Sequence, residues 1–197
     1  EMPNWTKILN HPLFIMGFFL FVRQVTKNLD LDNSNYVGAI RGLYLSSQLI
    51  VIILSFYLMS VIRKKNDTTP LRYVEPGAQK WDGSETDDIL INTTNMDYDI
   101  TDVKKQLKQS FTGIAVVVFL NLQFGYVQPL LIQSIMGFKT FFMTKEARIH
   151  LFNGKTSSGE LRRPFRVESP FNMVSEKRQP RTDKGSIKKA EKALKTL

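Results

Sequence analysis

The sequence predicts an α-helical multi-pass membrane protein, with three to four short membrane helices, a small cytosolic α+β subdomain and a basic tail. Three observations carry this. Residues 8–22, 42–62 and 109–138 are uncharged, mainly apolar runs of 15, 21 and 30 residues. A polar loop, residues 63–108, separates the second run from the third. The charge is uneven: residues 1–138 hold 12 Lys/Arg and 12 Asp/Glu, while residues 139–197 hold 15 and 6, so the whole net charge of +9 lies in the tail. The overall 43% hydrophobic content is an average of these unlike parts.

The first run contains His11 and Pro12 and a dense Phe14-Ile15-Met16-Gly17-Phe18-Phe19-Leu20-Phe21 core. It is short for a membrane span. Arg23, Gln24 and Lys27 follow where small residues would mark a cleavage site, so it reads as an uncleaved anchor rather than a signal peptide. Residues 23–40 read as a polar connector.

The second run ends in Arg63-Lys64-Lys65. Cytosolic flanks carry the Lys/Arg excess, so this end is expected in the cytosol. Arg41 then falls at the lumenal entrance, where it must snorkel or face protein.

In the loop, Leu71-Arg72-Tyr73-Val74-Glu75 reads as a strand and Pro76-Gly77 as a turn. An acidic patch and a second apolar stretch, Ile89-Leu90-Ile91, follow. The acidic residues do not fit a calcium-loop register. Asp99 is expected to cap a helix that begins near Ile100 and presents Val103, Leu107 and Phe111 on one face.

The third run is too long for one upright span. At about 1.5 Å per residue it reaches about 45 Å, against a hydrocarbon core of about 30 Å. Either it tilts as one span, or it folds as a shallow hairpin, residues 109–143, broken near Gly125 to Pro129. Three lysines precede it, at 104, 105 and 108, so a single span leaves the cationic tail lumenal and a hairpin keeps it cytosolic. The Lys/Arg bias favours the hairpin, with both termini cytosolic.

In the tail, residues 144–197, Ala147-Arg148-Ile149-His150-Leu151-Phe152 alternates like a strand. Asn153-Gly154 follows as a turn pair, so a small hairpin is expected. From Ser186, Ile187, Ala190, Leu194 and Leu197, the last of which lies outside the residues the structure describes, are expected to share a helical face opposite Lys188, Lys189, Lys192 and Lys195. Arg162, Arg163, Arg166, Lys177, Arg178, Arg181, Lys188 and Lys189 are the candidate contacts to a polyanion, either ribosomal RNA or anionic lipid.

Catalytic signatures do not emerge. The chain lacks cysteine, a phosphate loop and any metal-ligand spacing, and its two histidines, His11 and His150, lie in unrelated regions. Neither enzymatic activity nor a cofactor or metal is expected. More informative are polar residues within apolar runs. Arg41, Gln48 and Ser55 recur every seven residues and form one helical stripe. Asn121 and Gln128 are also seven apart, with Gln123 and Gln133 nearby. Amides in lipid need partners or water, so these seven residues are expected either to bond between helices or to line a hydrated groove for the polar flank of a client segment.

Several stretches, taken in order, resemble one family. They are Leu71 through Gly77, Asp97-Tyr98-Asp99, Asn121 through Pro129 with Gln133-Ser134-Ile135, Ile149-His150-Leu151-Phe152, Gly159 through Phe165, and Thr182-Asp183-Lys184 with Ser186-Ile187. The chain is similar, over about residues 63–193, to the fungal endoplasmic-reticulum membrane family named for inorganic phosphate transport and for targeting independent of the signal recognition particle, the SND pathway. The resemblance implies a protein-biogenesis factor that helps client membrane proteins reach or enter the bilayer beside the Sec translocon, and the cations of the tail are expected to contact the ribosome or the translocon. Its alternative is a phosphate transporter, or a subunit or maturation factor of one. No catalytic residue carries over.

Overall fold

The computed structural model describes residues 4–28, 34–168 and 174–196. The protein is mostly helical. Its chain divides into two compact units, Glu1–Val61 with Asp102–Leu151, and Ile62–Thr101 with Phe152–Leu197.

The first unit is built from α1 (Asn4–Leu9), α2 (Pro12–Lys27), α3 (Ser34–Lys65), α4 (Asn95–Phe124), α5 (Gln128–Phe142) and α6 (Lys145–His150). The last residues of α3 and the first of α4 belong to the second unit. The expected first segment divides at His11, whose Nδ1 accepts from the Leu13 N–H at 3.2 Å and starts α2 with Pro12 in its first turn. With 16 residues α2 reaches about 24 Å. Helix α3 begins earlier than expected, at Ser34 rather than near Gly42, absorbing the end of the connector. The reason is packing: Val37, Ile40 and Tyr44 meet Val127 and Leu130 in a core that also takes Ile114, Val117 and Val118 of α4.

Helix α4 stops at Phe124 because Gly125 adopts φ +66°, which a residue with a Cβ rarely does. The Gly125 N–H closes the helix end on the Asn121 carbonyl at 2.9 Å. Three residues later α5 starts with Pro129 in its first turn, where no backbone donor is needed. Helices α3 and α5 are stitched by the Ser47 hydroxyl, which donates to the Ser134 carbonyl at 2.5 Å.

Helices α3 and α4 are long and apolar enough to cross a membrane. Leu45, Leu49 and Phe56 of α3 and Phe119 and Leu122 of α4 are each more than half exposed. So much outward apolar surface suits lipid rather than water.

The expected strand at residues 147–152 is corrected to a helix, α6. Thr144 caps it, its Oγ1 accepting from the Ala147 N–H at 3.3 Å, and Glu146 to Ile149 are buried. Lys-Glu-Ala-Arg suits a helix, and burial on every side erases the two-residue alternation that suggested a strand.

In the second unit, β1 (Pro70–Glu75) and β2 (Ile89–Thr94) pair antiparallel with Tyr73 opposite Ile91. The connecting loop is itself ordered: Thr86 N–H donates to Ala78 O at 3.0 Å and Lys80 N–H to Ser84 O at 2.7 Å. A Cβ at Gly77 would lie 1.6 Å from the Thr86 carbonyl oxygen, so that position requires glycine. Arg181 borders β1, exchanging backbone hydrogen bonds with Val74 at 2.8 and 3.0 Å. Helix α7 (Lys184–Lys195) follows, capped by Asp183, which accepts from the Ser186 N–H at 2.8 Å. That bond holds the Asp183 carboxyl below its usual range.

Two further expectations change here. The cap of α4 is Thr94, whose hydroxyl accepts from the Asp97 N–H at 3.2 Å, and Asp99 lies inside the helix. Among the described residues no tail hairpin forms after residue 147, and residues 151–168 run as turns with one short 3-10 stretch at Gly159–Leu161.

Candidate functional site: a polar groove among apolar helices

A groove of about 730 Å³ opens in the first unit between α3, α4 and α5. Helix α3 contributes Tyr44, Gln48, Val51 and Ser55, α4 contributes residues from Gln106 to Val117, and α5 with its C-terminal flank runs from Gln133 to Thr144. Each helix lines it over twelve residues, about 16 Å of axis or roughly half of a hydrocarbon core. Amides and hydroxyls alternate there with Ile114, Val116, Val117 and Phe141, and no ionisable lysine, arginine or carboxylate lines it.

The amides are held from behind. Gln48 Nε2 donates to the Gln133 carbonyl at 3.2 Å, and a Cβ at Gly137 would stand 3.1 Å from that nitrogen. Gly137 therefore leaves the room that Gln48 occupies. At the other end Gln106 Nε2 donates to Asp102 Oδ2 and Glu146 Oε2, both at 3.1 Å. Glu146 has no solvent exposure. Its carboxyl is pushed up to about 9, first by burial, then by the hydrogen bond and negative charge of Asp102. Burial and the nearby Asp102 thus favour its neutral form, and the Gln106 side chain links the two carboxyl groups behind the groove.

Of the seven expected groove residues, the structure brings Gln48, Ser55 and Gln133 to the lining. The Ser55 hydroxyl also donates back to the Val51 carbonyl at 2.9 Å. Arg41 and Asn121 pair with each other instead, Nε to Oδ1 at 2.7 Å, and Asn121 Nδ2 donates to the Tyr126 carbonyl at 3.1 Å. They stabilise the turn after α4. Gln123 and Gln128 are exposed and are not part of the lining. Sequence reasoning missed Gln106, Gln109, Ser110, Thr140 and Thr144. A signal was present: 133, 137, 140 and 144 hold Gln, Gly, Thr and Thr at alternating spacings of four and three, one helical face of small and polar residues.

The cations of the second unit also separate. Arg163 is corrected: it is not an outward cation but a buried partner of Asp99. Arg166 pairs with Glu176, Arg178 donates to Gln79, and Arg181 meets Asp88 at 2.5 Å. Arg162, Lys177, Lys188 and Lys189 are exposed.

The fold and groove define a class: an α-helical protein with two helices fit to cross a membrane and an uncharged polar cleft between apolar surfaces. The chain belongs to the Pho88 family, described as phosphate transport, whose profile matches residues 9–196. It is 37% identical over 179 residues to SRP-independent targeting protein 3 of Saccharomyces cerevisiae, covering 88% of this chain and 90% of that one. It is 35% identical over 191 residues to the SRP-independent targeting protein 3 homolog of Schizosaccharomyces pombe, covering 96% of each. No solved structure matches the chain.

Proposed function

We propose that this protein is an endoplasmic-reticulum membrane factor for SRP-independent targeting and insertion, and that its groove receives the polar flank of a client transmembrane segment. One observation carries the reading: amides and hydroxyls line a cleft about half a bilayer deep between helices whose outer faces are apolar. A client segment must bring polar residues past lipid, and hydrogen-bonding groups beside an open cleft lower that cost. The names of the two yeast relatives supply the targeting role.

In this reading α2 is a short anchor, α3 crosses from lumen to cytosol, and α4 with α5 forms a shallow hairpin. The strand pair and basic tail form the cytosolic α+β part, both termini face the cytosol, and the groove opens there beside Gln106 and Thr144. The Sec translocon is the neighbouring partner, and exposed lysines of α7 contact the ribosome. The test is insertion of a single-span client into vesicles that carry the purified protein, compared with Gln48→Leu/Gln109→Leu. Insertion that is equal with and without the protein overturns the reading.

The family description supports a second reading, phosphate transport. A phosphate path requires cations within the membrane, and the groove lining carries none. Uptake of labelled phosphate by the same vesicles would favour it.

A further inference from the structure

We propose that the groove has a second activity, the passage of glycerophospholipid headgroups between leaflets, which makes the protein a lipid scramblase. The inference rests on the membrane placement of α3, α4 and α5 given above, but not on the binding of any client.

Polar groups follow one another in order along the helices. From the Gln106 and Thr144 end, Gln109, Ser110 and Thr140 lead to Gln48 and Gln133. Beyond Gln48 comes Tyr44, and one turn further on α3 is Arg41, bonded to Asn121, which bonds the Tyr126 carbonyl in the turn that ends α4. From Arg41 to Ser55 the axis of α3 spans about 21 Å, so groove and cluster together leave only about a third of the core without polar side chains. A headgroup moving along this line meets a new hydrogen-bonding partner about every helical turn.

The chemistry of the line suits a traveller rather than a resident. Phosphodiester and amine both hydrogen-bond to amides and hydroxyls, yet no lysine or arginine stands in the lining to trap a phosphate. Arg41 lies at the far end of this line, with its guanidinium bonded through Nε and the residue exposed. Acyl chains need no polar path. Val116 lines the groove and is 52% exposed, so an apolar side chain stands at the edge where the chains would slide in lipid, and Phe111 on the same helix is equally exposed outside the lining. A free phosphate ion has no such tails and must be desolvated wholly within a neutral cleft, which the lining does not favour.

The test uses the full chain in phosphatidylcholine vesicles that contain a trace of lipid with a fluorescent headgroup. A membrane-impermeant reductant bleaches only the outer leaflet, so protein-free vesicles stop bleaching when that leaflet is spent. With the protein, bleaching is expected to continue into the inner-leaflet pool, while a trapped soluble dye stays bright. Bleaching that stops at the protein-free level overturns the proposal. A triple variant, Gln48→Leu/Ser110→Ala/Thr140→Val, is checked for an unchanged unfolding temperature and is expected to lose most of the added rate. Undiminished scrambling by that folded variant removes the groove as the path. Release of trapped inorganic phosphate at the same rate as lipid assigns the activity to ion conduction and also overturns it. Client insertion is measured in the same vesicles. Scrambling without insertion overturns the targeting reading alone, and insertion without scrambling overturns this inference alone.

Discussion

Arg163 grips Asp99 with two hydrogen bonds, Nε to Oδ1 at 2.8 Å and Nη2 to Oδ2 at 2.6 Å, and the two side chains are 8% and 1% exposed. Beside them the Phe165 N–H donates to the Tyr98 hydroxyl at 2.8 Å, and the Tyr98 ring makes edge contacts with Tyr73 and Phe165. The pair therefore fastens the turns after residue 152 to the start of α4. Removing one partner leaves the other charge buried. Asp99→Ala is expected to cost about 3–5 kcal/mol, read as lost protection of residues 152–168 from protease, with Arg163→Ala giving a similar result. Equal protection in both variants removes the fastening role.

Glu146 gives a pH prediction. Its folded value is raised to about 9 from the ordinary 4.5, so the favourable contribution of its neutral form is complete below about 4.5 and is lost as pH rises through about 9. The unfolding temperature should fall across that interval. Glu146→Gln stays neutral and should flatten the fall while retaining a partner for Gln106. An unchanged slope in that variant would show that Glu146 is ionised throughout.

Gly137 sets the width of the groove. Gly137→Val places carbon where Gln48 Nε2 lies at 3.1 Å from a Cβ, so the amide must leave the Gln133 carbonyl. Client crosslinking to a photoreactive group at Ser110 should drop several-fold, and Gly137→Ala should have a smaller effect. Full crosslinking in the valine variant places the client elsewhere.

The basic tail divides by exposure. Lys188→Gln/Lys189→Gln should weaken ribosome co-sedimentation and lower its salt slope by about 1–2, since each lost phosphate contact removes close to one. Arg163→Gln should act through stability instead, with little change in slope. Identical slopes in wild type and the lysine variant would exclude rRNA contact by α7.

Topology has a direct reporter. Asn66-Asp67-Thr68 and Asn92-Thr93-Thr94 are glycan acceptor sequences in the loop assigned to the cytosol. Neither should be modified in microsomes, and an acceptor added after Thr196 should also stay bare. A glycan on Asn66 inverts the orientation.

What could be read from the chain follows the range of the forces involved. Gly125 and Pro129 mark the end of α4 and the start of α5 because backbone sterics act locally, and the hydropathy of residues 42–62 marks the middle of α3 for the same reason. The early start of α3 was hidden, since it depends on Ile40 and Tyr44 meeting Val127 and Leu130 more than eighty residues away. Residues 147–152 misled because a helix buried all round shows no periodicity of its own. In the groove, seven-residue spacing found Gln48 and Ser55 but gave no information about partners across helices. Arg41 with Asn121, and Asp99 with Arg163, are matches made only by folding.

Only residues 125–127 join α4 to α5. A pair of helices tied that closely can be laid into a bilayer from one side, as a folded loop, with nothing larger than the turn carried across. In the proposed topology, assembly of this part of the chain needs no open channel. Its helical hairpin would be an early and self-sufficient passenger of the route that, in the proposed role, it goes on to serve.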